Sequence, residues 1–206
     1  MNPTFPDFPL HFRSARAQSW HPKEIGQYKR ASVALNYVKG WNLAVDVGAY
    51  CGAWSYAFAQ RFKRVYMFEP FPEHHDLARQ NLAPYQNVIR YQVALLDKKG
   101  DGSMRHGGSK YNYLKFGEGP VMVEPLDRYE LPACDLLKID AEGADALVLQ
   151  GAERTIATYS PVIIVEEKDS EVRLFELEPG AVNTLLTGWG YTRVWQHAPD
   201  GIYVRG

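Results

Sequence analysis

The sequence predicts a doubly wound α/β domain: a mainly parallel seven-stranded sheet with helices on both faces and an antiparallel strand from a C-terminal hairpin. Three observations predict it. Short apolar runs alternate with helical segments from Asn42 to Thr187. Five of these runs carry an acid at or near the carboxyl tip: Asp46, Glu69, Asp97, Asp140 and Glu166. Two last apolar runs are joined by Ala198-Pro199-Asp200-Gly201, a turn signal.

Taken in order, residues 1–21 mix Pro3, Pro6 and Pro9 with Phe5, Phe8, Phe12 and Trp20. Proline blocks regular structure while the aromatics favour burial. Two readings stand: an arm packed on the surface, or an arm that covers the site mouth or joins a homodimer. Pro22–Lys39 reads as a helix, with proline suited to its first turn and Gly40 to its end. Leu43–Val47, Val65–Phe68, Val88–Leu95, Cys134–Ile139 and Pro161–Val165 read as strands. Ala53–Phe62, Glu73–Leu82, Ala144–Ala157 and Ala181–Thr187 read as helices. Tyr191–Trp195 and Gly201–Val204 form the hairpin. Residues 97–119, rich in Gly, Lys and Tyr, interrupt the alternation, as a binding loop or as a surface insertion with a short hairpin. The whole is one domain, 1–206: arm and helix (1–40), core (42–167) with its insertion (97–119), then helix and hairpin (168–206).

Composition narrows the function classes. The 206 residues are 46% apolar and 23% charged, a globular profile. A net charge of −1 lacks the basic excess of non-specific nucleic-acid binders. Cys51 and Cys134 are too few for a disulfide framework and suit a reducing, cytoplasmic setting. No apolar run approaches the ~20 residues of a membrane span. The proline-broken N-terminus does not read as a secretory signal.

In such a sheet, ligands bind outside the carboxyl ends of the strands, where strand order reverses. The residues there are Asp46, Gly48, Glu69, Ala94, Asp140 and Glu166. Neighbouring acids repel, so the rim calls for a cation or for hydroxyl donors. S-adenosylmethionine (SAM) supplies both. The first tip reads Asp46-Val47-Gly48-Ala49-Tyr50-Cys51-Gly52, a G-x-x-x-G turn and not the G-x-G-x-x-G of a dinucleotide site. Gly48 and Gly52 are expected to let backbone approach a ligand, and Asp46 to meet a methionine amino group. Glu69 stands 21 residues after Gly48, where an acid accepts from both ribose hydroxyls, in NAD enzymes as well. Ala94 and Leu95 could bracket an adenine, with Asp97 accepting from its amino group. Asp140 and Glu142 sit where a strand becomes a helix. Glu142 either caps that helix, or the two carboxylates hold the acceptor and take its proton. Glu166 and Glu167 add carboxylate beside them.

These blocks resemble the FkbM-type family of SAM-dependent methyltransferases. Lys138-Ile139-Asp140-Ala141-Glu142-Gly143-Ala144-Asp145, continuing to Gly151-Ala152, is similar to the family block K-I-D-V-E-G-x-E-x-x-V-L-x-G-A. Val45–Gly52 resembles V-D-V-G-A-x-x-G, and Phe68-Glu69-Pro70 resembles F-E-P. The resemblance spans roughly Asn42 to Glu167. It implies a Rossmann-like fold and a SAM site lined by Asp46, Gly48, Ala49, Gly52, Glu69, Pro70, Ala94, Leu95 and Asp140. Asp140 would face the methyl group, and Asp140, Glu142 and Glu166 would carry the chemistry. The family's acceptors are mostly hydroxyls on sugars and specialised metabolites.

The expected reaction is O-methylation with Asp140 or Glu142 as base; His106 is a further candidate. No residue is assigned to a metal, although Asp140, Glu142 and Glu166 offer oxygens suited to Mg²⁺. Lys98, Lys99, Arg105, Lys110 and Lys115 outnumber the acids of the insertion, which would suit an anionic acceptor, or simply water. Two other functions fit parts of the pattern: an NAD-dependent oxidoreductase, and a non-catalytic module on the same fold. A base-amine methyltransferase would carry D/N-P-P-Y/F, which is absent.

Overall fold

The computed structural model describes residues 31–106, 112–168, 170–197 and 199–206. The arm, most of the helix expected over Pro22–Lys39, and the insertion tip lie outside them; residues 31–35 are helical. The main chain then runs through β1 (Leu43–Val47), α1 (Ala53–Ala59), β2 (Arg64–Phe68), α2 (Pro72–Asn81) and β3 (Val88–Tyr91). Four short strands follow: β4 (Ala94–Leu95), β5 (Gly100–His106), β6 (Asn112–Phe116) and β7 (Val121–Glu124). The second half holds β8 (Leu136–Ile139), α3 (Asp145–Gln150), α4 (Glu153–Tyr159), β9 (Val162–Glu166), α5 (Ala181–Gly188), β10 (Tyr191–His197) and β11 (Asp200–Arg205).

The large sheet has the order β10-β11-β9-β8-β1-β2-β3. β3, β2, β1, β8 and β9 are parallel, and β11 inserts antiparallel beside β9. Every residue of β1, β8 and β9 is buried, as a sheet covered on both faces demands. Side chains alternate between two cores. Trp54, Phe58, Phe62, Met67 and Leu82 fill one; Leu43, Val45, Phe68, Leu137, Ile139 and Tyr203 fill the other. Strand order reverses between β1 and β8, so the crevice of the fold opens at their carboxyl tips.

Two expectations are corrected. Val88–Leu95 is not one strand: β3 pairs with β2, while Ala94 and Leu95 leave the sheet and pair with Val123 and Glu124. The insertion carries the hairpin that one of its two readings gave it, β5–β6, and completes a second sheet of order β4-β7-β5-β6. That sheet presents Leu96, Leu114, Val121 and Val123 to Ala144, beside Ala141 and Phe175, and so lies against the turn that follows β8. The helix expected over Ala144–Ala157 breaks into α3 and α4. A side chain at Gly151 would lie 2.0 Å from the Leu96 carbonyl oxygen, which fixes a close chain crossing. Asp127 then caps α4, accepting from the backbone of Arg154 and Thr155, each at 2.8 Å.

Candidate active site

The turn after β1 is held by strain-tolerant residues and by neighbouring strands. Gly48, Tyr50 and Gly52 have φ of +70°, +51° and +87°. The Gly48 and Ala49 amides donate to the Phe68 carbonyl, and the Asp140 amide donates to Val47. A Cβ on Gly48 would sit 1.8 Å from the Asp140 carbonyl oxygen, and one on Gly52 would sit 2.7 Å from Leu82 Cδ1. The two glycines therefore make room for the residues that follow the β8 tip and the end of α2. Gly48→Ala is expected to cost about 2–5 kcal/mol, from the left-handed φ plus overpacking, read by urea unfolding. Gly180→Ala, at φ +77° in open space, should cost only about 1–2 kcal/mol.

Asp46 does not face the crevice. It is fully buried, and its Oδ2 accepts from the Ser55 hydroxyl at 2.7 Å. Lys138 Nζ lies 3.1 Å from Asp46 Oδ1 and donates to the Val47 and Gly48 carbonyls at 3.0 and 2.8 Å. Burial works to neutralise Lys138, but the charges of Asp46, Asp140 and Glu166 prevail and hold it above the usual lysine range. Thus Asp46 anchors Lys138, and Lys138 ties the β1 turn to β8. Asp46, expected to meet a methionine amino group, is engaged here by Ser55 and Lys138. Lys138 was missed because its partner is 92 residues away in sequence. Its signal was a charged residue inside the apolar run Leu136-Leu137-Lys138-Ile139.

Glu69 closes the β2 tip. Its Oε2 accepts from the Tyr50 amide at 2.8 Å and its Oε1 from the Phe71 amide at 2.9 Å, with His74 Nδ1 at 3.7 Å from Oε1. Each carboxylate oxygen has a second acceptor position, which suits a ribose hydroxyl. The rings of Tyr50 and Phe71 meet that of His74 edge-on, with centroids 4.5 and 4.7 Å away, forming an aromatic rim beside the acid. Pro70 follows at the half-buried mouth. Ala49, Ala94 and Leu95, expected to line the cofactor, are packed into the apolar clusters.

Across the crevice, the turn after β8 holds Asp140, Glu142 and Gly143. Glu142 has φ +50° and Gly143 +98°. The turn is organised by buried Asp145, which accepts from the Ala141 and Gly143 amides at 2.9 and 3.1 Å. Burial pushes the Asp145 carboxyl up to about 7, although those amides favour its charged form. Of the two readings of Glu142, capping is not seen: α3 has no side-chain cap, and Asp145 braces the turn that leads into it. The Glu142 carboxylate instead joins Asp140 and Glu166, with one oxygen of each within 4.8 Å of the others. The sequence placed these three together, and so does the structure. It adds Lys168, whose ammonium lies 2.8 Å from Glu142 Oε2 and 2.7 Å from Glu166 Oε2. Glu167 turns away to Arg193 and the Tyr203 hydroxyl. The side chain of His106 lies outside the described residues.

Charge sharing defines the chemistry of this cluster. Burial, then the charge of Asp140 and a hydrogen bond to it, push Glu166 up to about 10. Burial and Asp140 also raise Glu142. Lys168 is held above its usual range by Asp140, Glu166 and Glu142 acting against burial. Glu166 thus keeps its proton at neutral pH, against Asp140 on one side and the Lys168 ammonium on the other. Folded Glu166 binds its proton between pH 4.5 and about 10, where the unfolded chain does not. Its contribution therefore makes stability fall as pH rises through that window. Melting temperatures recorded from pH 7 to 10 should decline more steeply for the native protein than for Glu166→Gln; parallel curves would refute this titration.

Mg²⁺ receives no support from this arrangement. The three carboxylates have a spacing that a cation can bridge, but the Lys168 ammonium already bridges two of them.

Comparison with known proteins gives the same picture. Residues 46–192, most of the chain, match the methyltransferase FkbM domain. The 2-O-methyltransferase NoeI of Sinorhizobium fredii is 27% identical over 186 residues, with 76% of each chain covered. Methyltransferase FkbM from Methylobacillus flagellatus KT superposes with a TM-score of 0.58 at 19% identity over 79% of this chain, which spans 43% of that longer one. Precorrin-6y C5,15-methyltransferase from Geobacter metallireducens GS-15 gives a TM-score of 0.53 at 16% identity, with 86% of both chains covered. These two structural likenesses establish the fold; the domain match sets the family. The chain belongs to the FkbM family of SAM-dependent methyltransferases.

Proposed function

We propose that the protein transfers the SAM methyl group to a hydroxyl of a small molecule, of the sugar or specialised-metabolite kind, with Asp140 as the base. The observation that carries this reading is the Asp140–Glu142–Glu166 cluster at the point where strand order reverses. The curated relative is named a 2-O-methyltransferase, which supports oxygen as the methylated atom. Bound SAM supplies an electrophilic methyl carbon whose bond to sulfur breaks as the acceptor oxygen attacks, with the electron pair leaving on sulfur. This chain's residues do the rest. Glu69 holds the ribose hydroxyls and the carboxylate rim favours a cationic ligand. Asp140 accepts the hydroxyl proton across about 2.6–3.2 Å, the reach a general base needs. The second sheet, packed on Ala141 and Ala144, walls one side of the crevice. Among the described residues no helix is long and apolar enough to cross a membrane.

Supplying SAM with a labelled methyl group to a panel of mono- and oligosaccharides tests the reading. Label recovered as an alkali-stable ether supports it. Label found only on nitrogen or carbon acceptors overturns it.

A further inference from the structure

Lys168 stands two residues beyond β9. We propose that Lys168 is the built-in cation of the acceptor site, a positioning residue whose ammonium sets Glu142 and Glu166 around Asp140 as a divalent ion would. The inference rests on Asp140 being the acceptor base. Four observations carry it. The ammonium bridges carboxylates from two elements, the turn after β8 and the tip of β9, at 2.8 and 2.7 Å. The three carboxyl groups have oxygens within 4.8 Å of one another, so a cation seated among them favours the charged forms of Asp140 and Glu142. Lys138, the buried lysine below, is committed to Asp46 and to the Val47 and Gly48 carbonyls. Finally, Glu142 keeps a left-handed φ of +50° that glycine would adopt without strain. A side chain retained against that preference is explained by its ion pair with Lys168. With Glu142 and Glu166 tied to one ammonium, Glu166 stays against Asp140, and the base keeps a fixed orientation toward the crevice.

The test uses Mn²⁺ alone, an ion suited to carboxylate oxygens, followed by electron paramagnetic resonance on the full chain at pH 8. The native protein and Lys168→Arg should bind Mn²⁺ only weakly. Lys168→Ala should vacate the position and gain at least tenfold in Mn²⁺ affinity, and Glu142→Gln in that background should abolish the gain. Should Lys168→Ala fail to fold, Lys168→Met keeps the aliphatic stem and must show the same gain. Equal Mn²⁺ affinity in native and variant proteins overturns the proposal. Calorimetry with S-adenosylhomocysteine on the same samples reads the underlying assignment separately. A native protein that does not bind it sinks the methyltransferase site, whatever Mn²⁺ shows.

Discussion

Lys138→Met is expected to lower the unfolding free energy by about 3–5 kcal/mol, the cost of stranding one member of a buried ion pair. The loss arises from what remains: Asp46 is fully buried, and without Lys138 its charge keeps only the Ser55 hydroxyl as partner. The Gly48 carbonyl loses the ammonium donor as well, while the Val47 carbonyl keeps the Asp140 amide. Asp46→Asn strands the lysine instead and should cost a similar amount. The double variant Asp46→Asn/Lys138→Met should cost clearly less than the sum, since no buried charge is left unpaired. Urea denaturation of the four proteins measures the coupling. A stable Asp46→Asn protein that merely binds S-adenosylhomocysteine more weakly would show that Asp46 faces the ligand after all.

Asp140→Asn should lower the methyl-transfer rate by about 10²–10⁴-fold, the usual worth of a positioned general base. The amide has nearly the same shape, so affinity for S-adenosylhomocysteine should stay within a few-fold. Glu142→Gln should cost less, because Glu142 is engaged by Lys168 and serves to place its neighbours. A double amide variant should bind the product analogue and turn over no acceptor. Single-turnover transfer and calorimetry on the same preparations separate the two effects; transfer at the native rate in the double variant would remove both carboxylates from the mechanism.

Local pattern was enough to read the outline of the fold. β1 falls on the expected Leu43–Val47, and the hairpin, the parallel core and the tip acids Asp46, Glu69, Asp140 and Glu166 follow from alternation and turn chemistry; Asp97 does not, because the chain has left the large sheet by then. The trio Asp140, Glu142 and Glu166 was legible because two of its members are neighbours in a specific block. What escaped depended on long-range partners. In the run Val88–Leu95 only Gln92 hints at a break, just past the end of β3; that the chain leaves one sheet for another there is decided by β7. The break between α3 and α4 did have a signal, Gly151, whose meaning lies in the Leu96 carbonyl it must clear. Gly48 and Gly52 were rightly seen as special positions, but the space they free is filled by β8 and α2. Asp46 and Lys138 are each odd residues in apolar strands; only the β1–β8 register shows that each explains the other.

The central claim is that the crevice between the β1 and β8 tips holds the methyl donor with Asp140 on its reactive side. A crystal structure with S-adenosylhomocysteine tests it most directly. The account predicts the ribose on Glu69 and the sulfur turned toward Asp140, with open space between them for an acceptor oxygen. A nucleoside bound away from Glu69, or a sulfur shielded from Asp140 by the β5–β6 hairpin, would contradict it.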